Sequence, residues 1–290
     1  MVNFKLILVI MVLVLATLAC TFNIDNPITT ELLTGPLVTD QINIPFLSDP
    51  EADAEVIINF GAGDLFISSG AEGALISGEV SYNVEDLKPD ISMDNEVIRI
   101  KTGSLDIDGI PRFNEKVQNT WTLKLSESPI DLTIKAGAYV GELALGGLSL
   151  ANLHIGDGAS EVNLSFSEPN LIAMDTFRYE TGASNIKLKN LSNANFTTML
   201  FESGAGSYEL DFSGQLSRDA NVFIETGLST MTITVPENIN VELRVEGALK
   251  NISTRGNWKQ QMGSYVITAE GPTLTILVEM SAGNLILRNP

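Results

Sequence analysis

The sequence predicts an all-β protein built as a single-domain β-solenoid, a coil of stacked rungs, and three observations support this fold class. A Gly-Ala turn or a close variant recurs, apolar residues flank it at constant offsets, and they alternate with polar residues at the two-residue period of a strand. The five turns from residue 137 to residue 227 are separated by 21 to 24 residues, which predicts one rung per interval. The turn glycines, called slots below, are Gly61, Gly137, Gly158, Gly182, Gly204 and Gly227, followed by a degenerate slot at Ser281.

The residues around each slot predict two half-buried strand segments. Apolar side chains stand five and three positions before a slot and four and six positions after it, as Leu153, Ile155, Val162 and Leu164 do around Gly158. A hairpin meander gives no reason for an identical slot in every interval, whereas stacked rungs place equivalent residues about 4.8 Å apart. We expect glycine at the slot because it tolerates positive φ, and a small residue after it because stacked corners must not collide.

The first twenty residues have the pattern of a secretory signal. Residues 6–18 form an uncharged apolar run of 13 residues after Lys5, which is short for a membrane span. The run ends in Leu-Ala-Thr-Leu-Ala-Cys, which resembles the lipobox of bacterial lipoproteins, with Thr17 where that motif usually has leucine. We therefore expect a signal peptide at residues 1–19 and a lipid anchor at Cys20, the alternatives being a plain secretory signal or an uncleaved anchor.

Residues 20–50 have the composition of a flexible tether behind the lipid-anchor cysteine. Four prolines interrupt this segment, and no strand or helix period is sustained. The alternative is that residues 41–46 pair with the domain as an edge strand. The solenoid itself is expected at residues 51–290.

Irregular spacing locates the ends of the predicted solenoid. The interval from Gly61 to Gly137 is long enough for three rungs without slots or for a separate strand group, so residues 51–120 are expected to form irregular N-terminal rungs or a cap. Residues 121–290 are expected to form regular rungs. Around Gly247 the pattern survives only when shifted by one residue, and residues 250–264 are predicted to bulge outward as a polar insertion. The chain end, where Arg288 precedes Asn289 and Pro290, is expected to close the last rung.

Composition excludes several classes of function. The net charge of −19 makes nucleic acid and anionic lipid headgroups unlikely partners. One cysteine and one histidine leave no internal disulfide, no Cys/His zinc cluster and no Cys-His nucleophile pair. No phosphate-binding or dinucleotide motif is present, so no cofactor is expected. His154 alone is expected to be a surface residue.

The stretch Ile58-Asn59-Phe60-Gly61-Ala62-Gly63, followed by Gly70-Ala71, resembles the start of the toast-rack domains of bacterial envelope proteins. The later Glu-Thr-Gly-Ala and Glu-Ser-Gly-Ala-Gly repeats resemble adhesin domains of the DUF4097 type and the C-terminal domain of LiaF-like envelope-stress proteins. The resemblance covers roughly residues 51–290. It implies a right-handed β-solenoid outside the cytoplasmic membrane, with no catalytic residues shared by these families.

Four glutamates stand two positions before their slots and predict a carboxylate ladder on the outer surface. Such a ladder could recruit calcium or could simply be a solvated face beside lysines. No metal site is otherwise expected. The candidates are Glu180, Glu202, Glu225 and Glu279.

Three functions are compatible with these observations. The first is a non-enzymatic envelope lipoprotein, held to the membrane by its lipid, whose solenoid is an adhesive or scaffolding surface for cell-wall polymer or an envelope protein. The second is a polysaccharide-active enzyme with paired carboxylates on one flank, recognisable by a groove with two carboxylates and adjacent aromatic residues. The third, an envelope-stress sensor component, rests on family analogy.

Overall fold

Long strands of 15 or 16 residues dominate the structure, a computed structural model that describes residues 29–31, 33–49, 54–103, 110–112, 117–247 and 249–290. Two short 3-10 helices, Glu85–Leu87 and Leu191–Ala194, lie between strands. The signal segment and Cys20 lie outside the described residues. The strands are β1 (Thr29–Glu31), β2 (Val38–Ile44), β3 (Ala54–Ser69), β4 (Ile76–Tyr82), β5 (Pro89–Asp94), β6 (Val97–Thr102), β7 (Ile110–Arg112), β8 (Asn119–Leu125), β9 (Ile130–Ala144), β10 (Leu150–Ser165), β11 (Met174–Lys189), β12 (Phe196–Asp211), β13 (Ala220–Thr234), β14 (Asn240–Glu246), β15 (Leu249–Arg255), β16 (Lys259–Gln261), β17 (Ser264–Ile267) and β18 (Thr273–Arg288).

The long strands stack in parallel, one per rung, in the spatial order β3, β9, β10, β11, β12, β13, β18. The register aligns residues that flank successive slots, so that Ala183 pairs with Ala205 and Ala205 with Leu228. An interval of 21 to 24 residues is therefore one rung, and the predicted all-β solenoid is confirmed.

Each long strand bends at its slot, and the bend is visible in the pattern of burial. In β11, Phe177 and Tyr179 are buried before the slot, and Ile186 and Leu188 are buried after it, so the buried parity shifts by one residue across Gly182. Two consecutive residues at the slot face outward, which creates an elbow between two strand arms. Stacking the arms joins the inward side chains of all rungs into one continuous apolar core.

The slot glycines are required by close stacking rather than by a left-handed backbone. None of the six has a positive φ, so the expectation that this conformation selects glycine was wrong. A Cβ placed on Gly182 would lie 2.4 Å from the carbonyl oxygen of Gly158, and one on Gly227 would lie 2.4 Å from that of Gly204. From Gly137 to Gly227, each slot glycine thus packs directly against the backbone of the previous slot, which leaves no room for a side chain.

At the N-terminal end, the outermost rung is assembled from two short strands. β6 pairs in parallel with the first arm of β3, and β8 pairs in parallel with its second arm. β5 is antiparallel to β6, β4 is antiparallel to β8, and β2 is antiparallel to β4. The interval after Gly61 therefore holds a separate strand group around one divided rung. Residues 38–44 belong to the sheet as an edge strand, so the predicted flexible tether does not extend through them.

At the C-terminal end, the last strand of the sequence is not the last rung in space. β18 lies between β13 and a final rung made of β14 and β15, both of which pair with it in parallel. The predicted outward bulge at residues 250–264 is wrong, because β15 is a rung arm, and β16 and β17 form an antiparallel edge beside β14. The expectation that the chain end closes the last rung is also wrong.

Candidate binding face

The four predicted glutamates form a continuous ladder on the outer surface of the first arm. Glu180 pairs in register with Glu202, Glu202 with Glu225, and Glu225 with Glu279. Glu246 of the final rung pairs with Glu279 and extends the ladder by one position. Five carboxylates therefore stand on adjacent strands, which are spaced by about 4.8 Å.

The first two carboxylates of this Glu ladder share the Arg178 guanidinium, and Glu180 also contacts His154. Glu180 Oε1 accepts a hydrogen bond from Arg178 at 2.8 Å, and Glu180 Oε2 lies 2.6 Å from His154 Nε2. Arg178 also reaches Glu202 at 3.0 Å. The hydrogen bond from Arg178, followed by that from His154, lowers the pKa of Glu180 from 4.5 to about 2. His154 is thus a partner of the ladder rather than an isolated surface histidine.

The next two carboxylates lack such partners among the described residues. Glu225 and Glu279 are exposed, and neither forms an ion pair with any residue that the structure describes. Two carboxylates about 5 Å apart in water repel each other by roughly 1 kcal/mol. No group of three or more acidic, histidine or cysteine residues within the described part of the chain is arranged to hold a metal ion. The predicted ladder is present, and calcium binding to it stays a prediction.

An open groove of about 830 Å³ follows the elbow past the ladder. Apart from His154, its lining comes from the residues that stand two, one and zero positions before the slots of successive rungs. Lys135 and His154 lie toward one end, and Glu225 and Ser281 lie toward the other. The groove therefore has a lysine at one end and carboxylates along the rungs that follow.

Hydrogen-bonded hydroxyl groups fix the floor of this groove. Asp157 Oδ2 accepts a hydrogen bond from the Tyr179 hydroxyl at 2.8 Å, and Asp157 Oδ1 accepts one from Thr181. The Thr181 hydroxyl, whose single proton goes to Asp157, also lies 2.6 Å from the Ser184 hydroxyl, across the elbow of its own rung. Burial raises the pKa of Tyr179 well above its ordinary value, with the Asp157 charge adding to the effect. The floor is a set of mutually satisfied polar groups, which holds the elbow in one geometry.

Sequence reasoning missed an apolar strip that lies beside the Glu ladder, on the side opposite the groove. Leu200, Phe223 and Leu277 stand in register on β12, β13 and β18, and the Phe223 side chain is 45% exposed. The strip ends at Arg178 on one side and at Arg244 on the other, in the same row of the sheet. A cavity of about 260 Å³ lies between these apolar residues and the ladder. The sequence does contain a signal for this strip, because an apolar residue stands at an outward-facing position four residues before each of three slots.

Two further observations concern the rest of the molecule. Trp258, which precedes β16, is half-buried and packs against the core. No helix among the described residues is long and apolar enough to cross a membrane.

The chain resembles known proteins both in its fold, compared with solved structures, and in its sequence, compared with a family model. A candidate cell adhesion protein from Clostridium sporogenes is similar over 88% of this chain and 100% of its own, with 19% identity and a TM-score of 0.47. A candidate adhesin from Bacteroides fragilis is similar over 89% of this chain and 99% of its own, with 10% identity and a TM-score of 0.43. No curated protein matches the chain. The model of the N-terminal domain of toast_rack, DUF2154, matches residues 34–176, which span the N-terminal strand group and the first regular rungs. Residues 34–176 of this chain are therefore similar to the N-terminal domain of toast-rack proteins.

Proposed function

We propose that this protein is a non-enzymatic, adhesin-like component of the bacterial cell envelope that presents the outer surface of its first arm to cell-wall polymer or to an envelope protein. The observation that supports this function most directly is the register of successive rungs. It places the Glu ladder, the elbow groove and the apolar strip side by side over several strands. A repeated face of this kind offers an extended partner many equivalent contacts at once.

The proposed location rests on the N-terminal sequence. A signal peptide at residues 1–19 would deliver the chain across the membrane, and lipid at Cys20 would anchor it there. The net charge of −19 keeps the body away from anionic lipid headgroups, so the anchored domain would project from the surface. Incorporation of labelled palmitate into the wild type, and not into a Cys20→Ser variant, tests the anchor.

The chemistry of the groove supports binding rather than catalysis. A glycoside-cleaving acid needs a raised pKa, whereas the pKa of Glu180 is lowered to about 2 by Arg178. Glu225 and Glu279 are exposed to solvent, whereas a general acid of this kind is held in a pocket that excludes water. His154, the single histidine of the chain, is engaged with Glu180.

One observation favours the second candidate, a polysaccharide-active enzyme. Glu225 and Glu279 are adjacent carboxylates with the aromatic Phe223 beside them. In retaining glycosidases the two carboxyl groups are about 5–5.5 Å apart, which is close to the separation of neighbouring strands. Release of reducing ends from cell-wall polysaccharide by the wild type, and its loss in Glu225→Gln, would establish this alternative.

Co-sedimentation with purified bacterial cell walls tests the proposed function. We expect the wild type to sediment with the walls, Glu225→Lys to remain in the supernatant, and Glu209→Lys to sediment like the wild type. Glu209 is an exposed glutamate on the second arm, so its variant is a matched control for the charge change. Protease treatment of the walls separates the two partners, since binding to polymer survives it. Equal behaviour of all three proteins would contradict the assigned face.

A further inference from the structure

Among the described residues, the Glu ladder has ion-pair partners at one end only. Arg178 serves both Glu180 and Glu202, whereas Glu225 and Glu279 face each other on neighbouring strands with no cation from the described residues. Adjacent like charges on one face of a sheet are destabilising unless an opposite charge lies between them. The arrangement at these two rungs is therefore complementary to a cationic group placed between the two carboxylates.

The surface beside these two carboxylates is apolar. Leu200, Phe223 and Leu277 cover three consecutive rungs, and the shallow cavity between them and the carboxylates is lined by side chains of both kinds. A ligand that fits here needs an apolar face directed at the strip and a cationic group at one edge. This combination of an apolar surface with a few placed polar groups is typical of binding sites.

The direction and spacing of the site favour a polysaccharide over a peptide. The strip crosses the strands, so the ligand would lie along the solenoid axis, where the sheet offers only side chains and no free backbone groups. An extended peptide advances about 3.3 Å per residue and presents same-face side chains about 6.7 Å apart, out of step with rungs spaced by about 4.8 Å. A β-1,4-linked pyranose chain advances by nearly one rung per sugar and would stay in step.

We propose that the strip of Leu200, Phe223 and Leu277, together with Glu225 and Glu279, binds a linear β-1,4-linked polysaccharide that carries free amino groups. The C–H faces of the sugar rings pack on the apolar residues. Successive sugars of such a chain are turned over, so their amino groups alternate between its two edges, and one ammonium group set between Glu225 and Glu279 donates charge-assisted hydrogen bonds to both carboxylates. Each sugar occupies one rung, and Arg178 and Arg244 bound the strip at its two ends. This inference rests on the proposed function and names the polymer class for its binding face.

Isothermal titration with defined oligosaccharides tests the proposal. The probes are the β-1,4-linked hexamer of glucosamine, its fully N-acetylated counterpart, and a lysine hexapeptide, at a slightly acidic pH where the amines are protonated. We expect the glucosamine hexamer to bind, and the N-acetylated hexamer and the lysine peptide each to bind at least about tenfold more weakly. Millimolar calcium should compete poorly, because no group of three or more Asp, Glu, His or Cys among the described residues is arranged to hold a metal ion.

Variants assign the binding to individual residues. Glu225→Gln and Phe223→Ala should each weaken binding of the glucosamine hexamer by about tenfold. Both residues are exposed, so the folded state should be retained, which circular dichroism would verify. Glu209→Gln on the second arm should bind like the wild type.

Three results would overturn the inference. Equal affinity for the glucosamine and N-acetylated hexamers would show that the carboxylates are not used, and equal or tighter binding of the lysine peptide would identify a cationic peptide as the ligand class. Displacement of the hexamer by millimolar calcium would assign the ladder to the metal. Sedimentation with cell walls without binding of the glucosamine hexamer would remove this inference and leave the proposed function standing.

Discussion

Substitution of a slot glycine by alanine should destabilise the protein in proportion to the closeness of the neighbouring slot. A Cβ on Gly227 would lie 2.4 Å from the Gly204 carbonyl oxygen, which is well inside van der Waals contact. The rungs would have to separate locally by close to 1 Å, and overpacking of this kind costs about 1–3 kcal/mol. For a domain of this size about 1 kcal/mol corresponds to a change of roughly 2–4 °C in Tm. We therefore expect Gly227→Ala to lower Tm by about 2–12 °C.

Gly61→Ala is the matched control for this prediction. At this first slot the nearest atom to an added Cβ is a Thr102 methyl carbon at 3.9 Å, so the side chain would fit. Because φ is not positive there, alanine should be neutral or stabilise by up to about 1 kcal/mol through the unfolded chain. Thermal melting followed by circular dichroism measures both variants. Equal Tm values for Gly227→Ala and Gly61→Ala would refute the explanation of the repeat by backbone stacking.

Three further predictions follow from the ion pairs, the groove floor and the strand order. Because the pKa of Glu180 is lowered to about 2, its contribution to stability is complete above about pH 4.5 and is lost as pH falls toward 2. Arg178→Gln should lower the free energy of unfolding at neutral pH by no more than about 1 kcal/mol, because the pair is exposed, and Tm should fall slightly. This difference from the wild type should vanish by about pH 2. Asp157→Ala should cost about 1–3 kcal/mol in urea unfolding because the hydroxyl groups that donate to it lose their acceptor, whereas the exposed Asp175→Ala should have little effect. Deletion of residues 273–290 should abolish cooperative unfolding. If the shortened protein instead kept a sharp unfolding transition, that result would contradict the order of the last rungs.

The repeat made the body of the fold predictable because each rung repeats the same local requirements. Around Gly158 and Gly182, the alternation of apolar residues identifies the two arms, and the slot spacing identifies the rung. The reason for glycine was not predictable from one rung, because it depends on a carbonyl oxygen of the neighbouring rung. The repeated glycine could therefore be located from the sequence, whereas the reason that glycine is required there is a contact between neighbouring strands.

The candidate site was predicted only in part. The Glu ladder follows from a fixed offset before each slot, so Glu180 and its counterparts could be aligned by inspection. Two of the ion pairs could not be predicted in this way, because each joins two neighbouring strands. Arg178 reaches Glu202 on the strand that follows it, and His154 reaches Glu180 on the strand that follows it. The role of Phe223 was hidden for a different reason, since an outward apolar residue is conspicuous only when its neighbours in the sheet are also apolar.

Both ends of the solenoid depart from sequence order in the same way, and this similarity has a physical reason. At each end a full-length strand, β3 or β18, lies one rung inside, and the outermost rung is divided into two shorter strands, of which β6, β8 and β14 have antiparallel partners. A full-length strand at the edge would leave a long row of unpaired backbone groups open to another chain, whereas short strands that turn back on themselves shorten that row. Because β18 supplies both the partner of β13 and the partner of β14 and β15, the C-terminal rungs can be completed only when the last residues of the chain are in place.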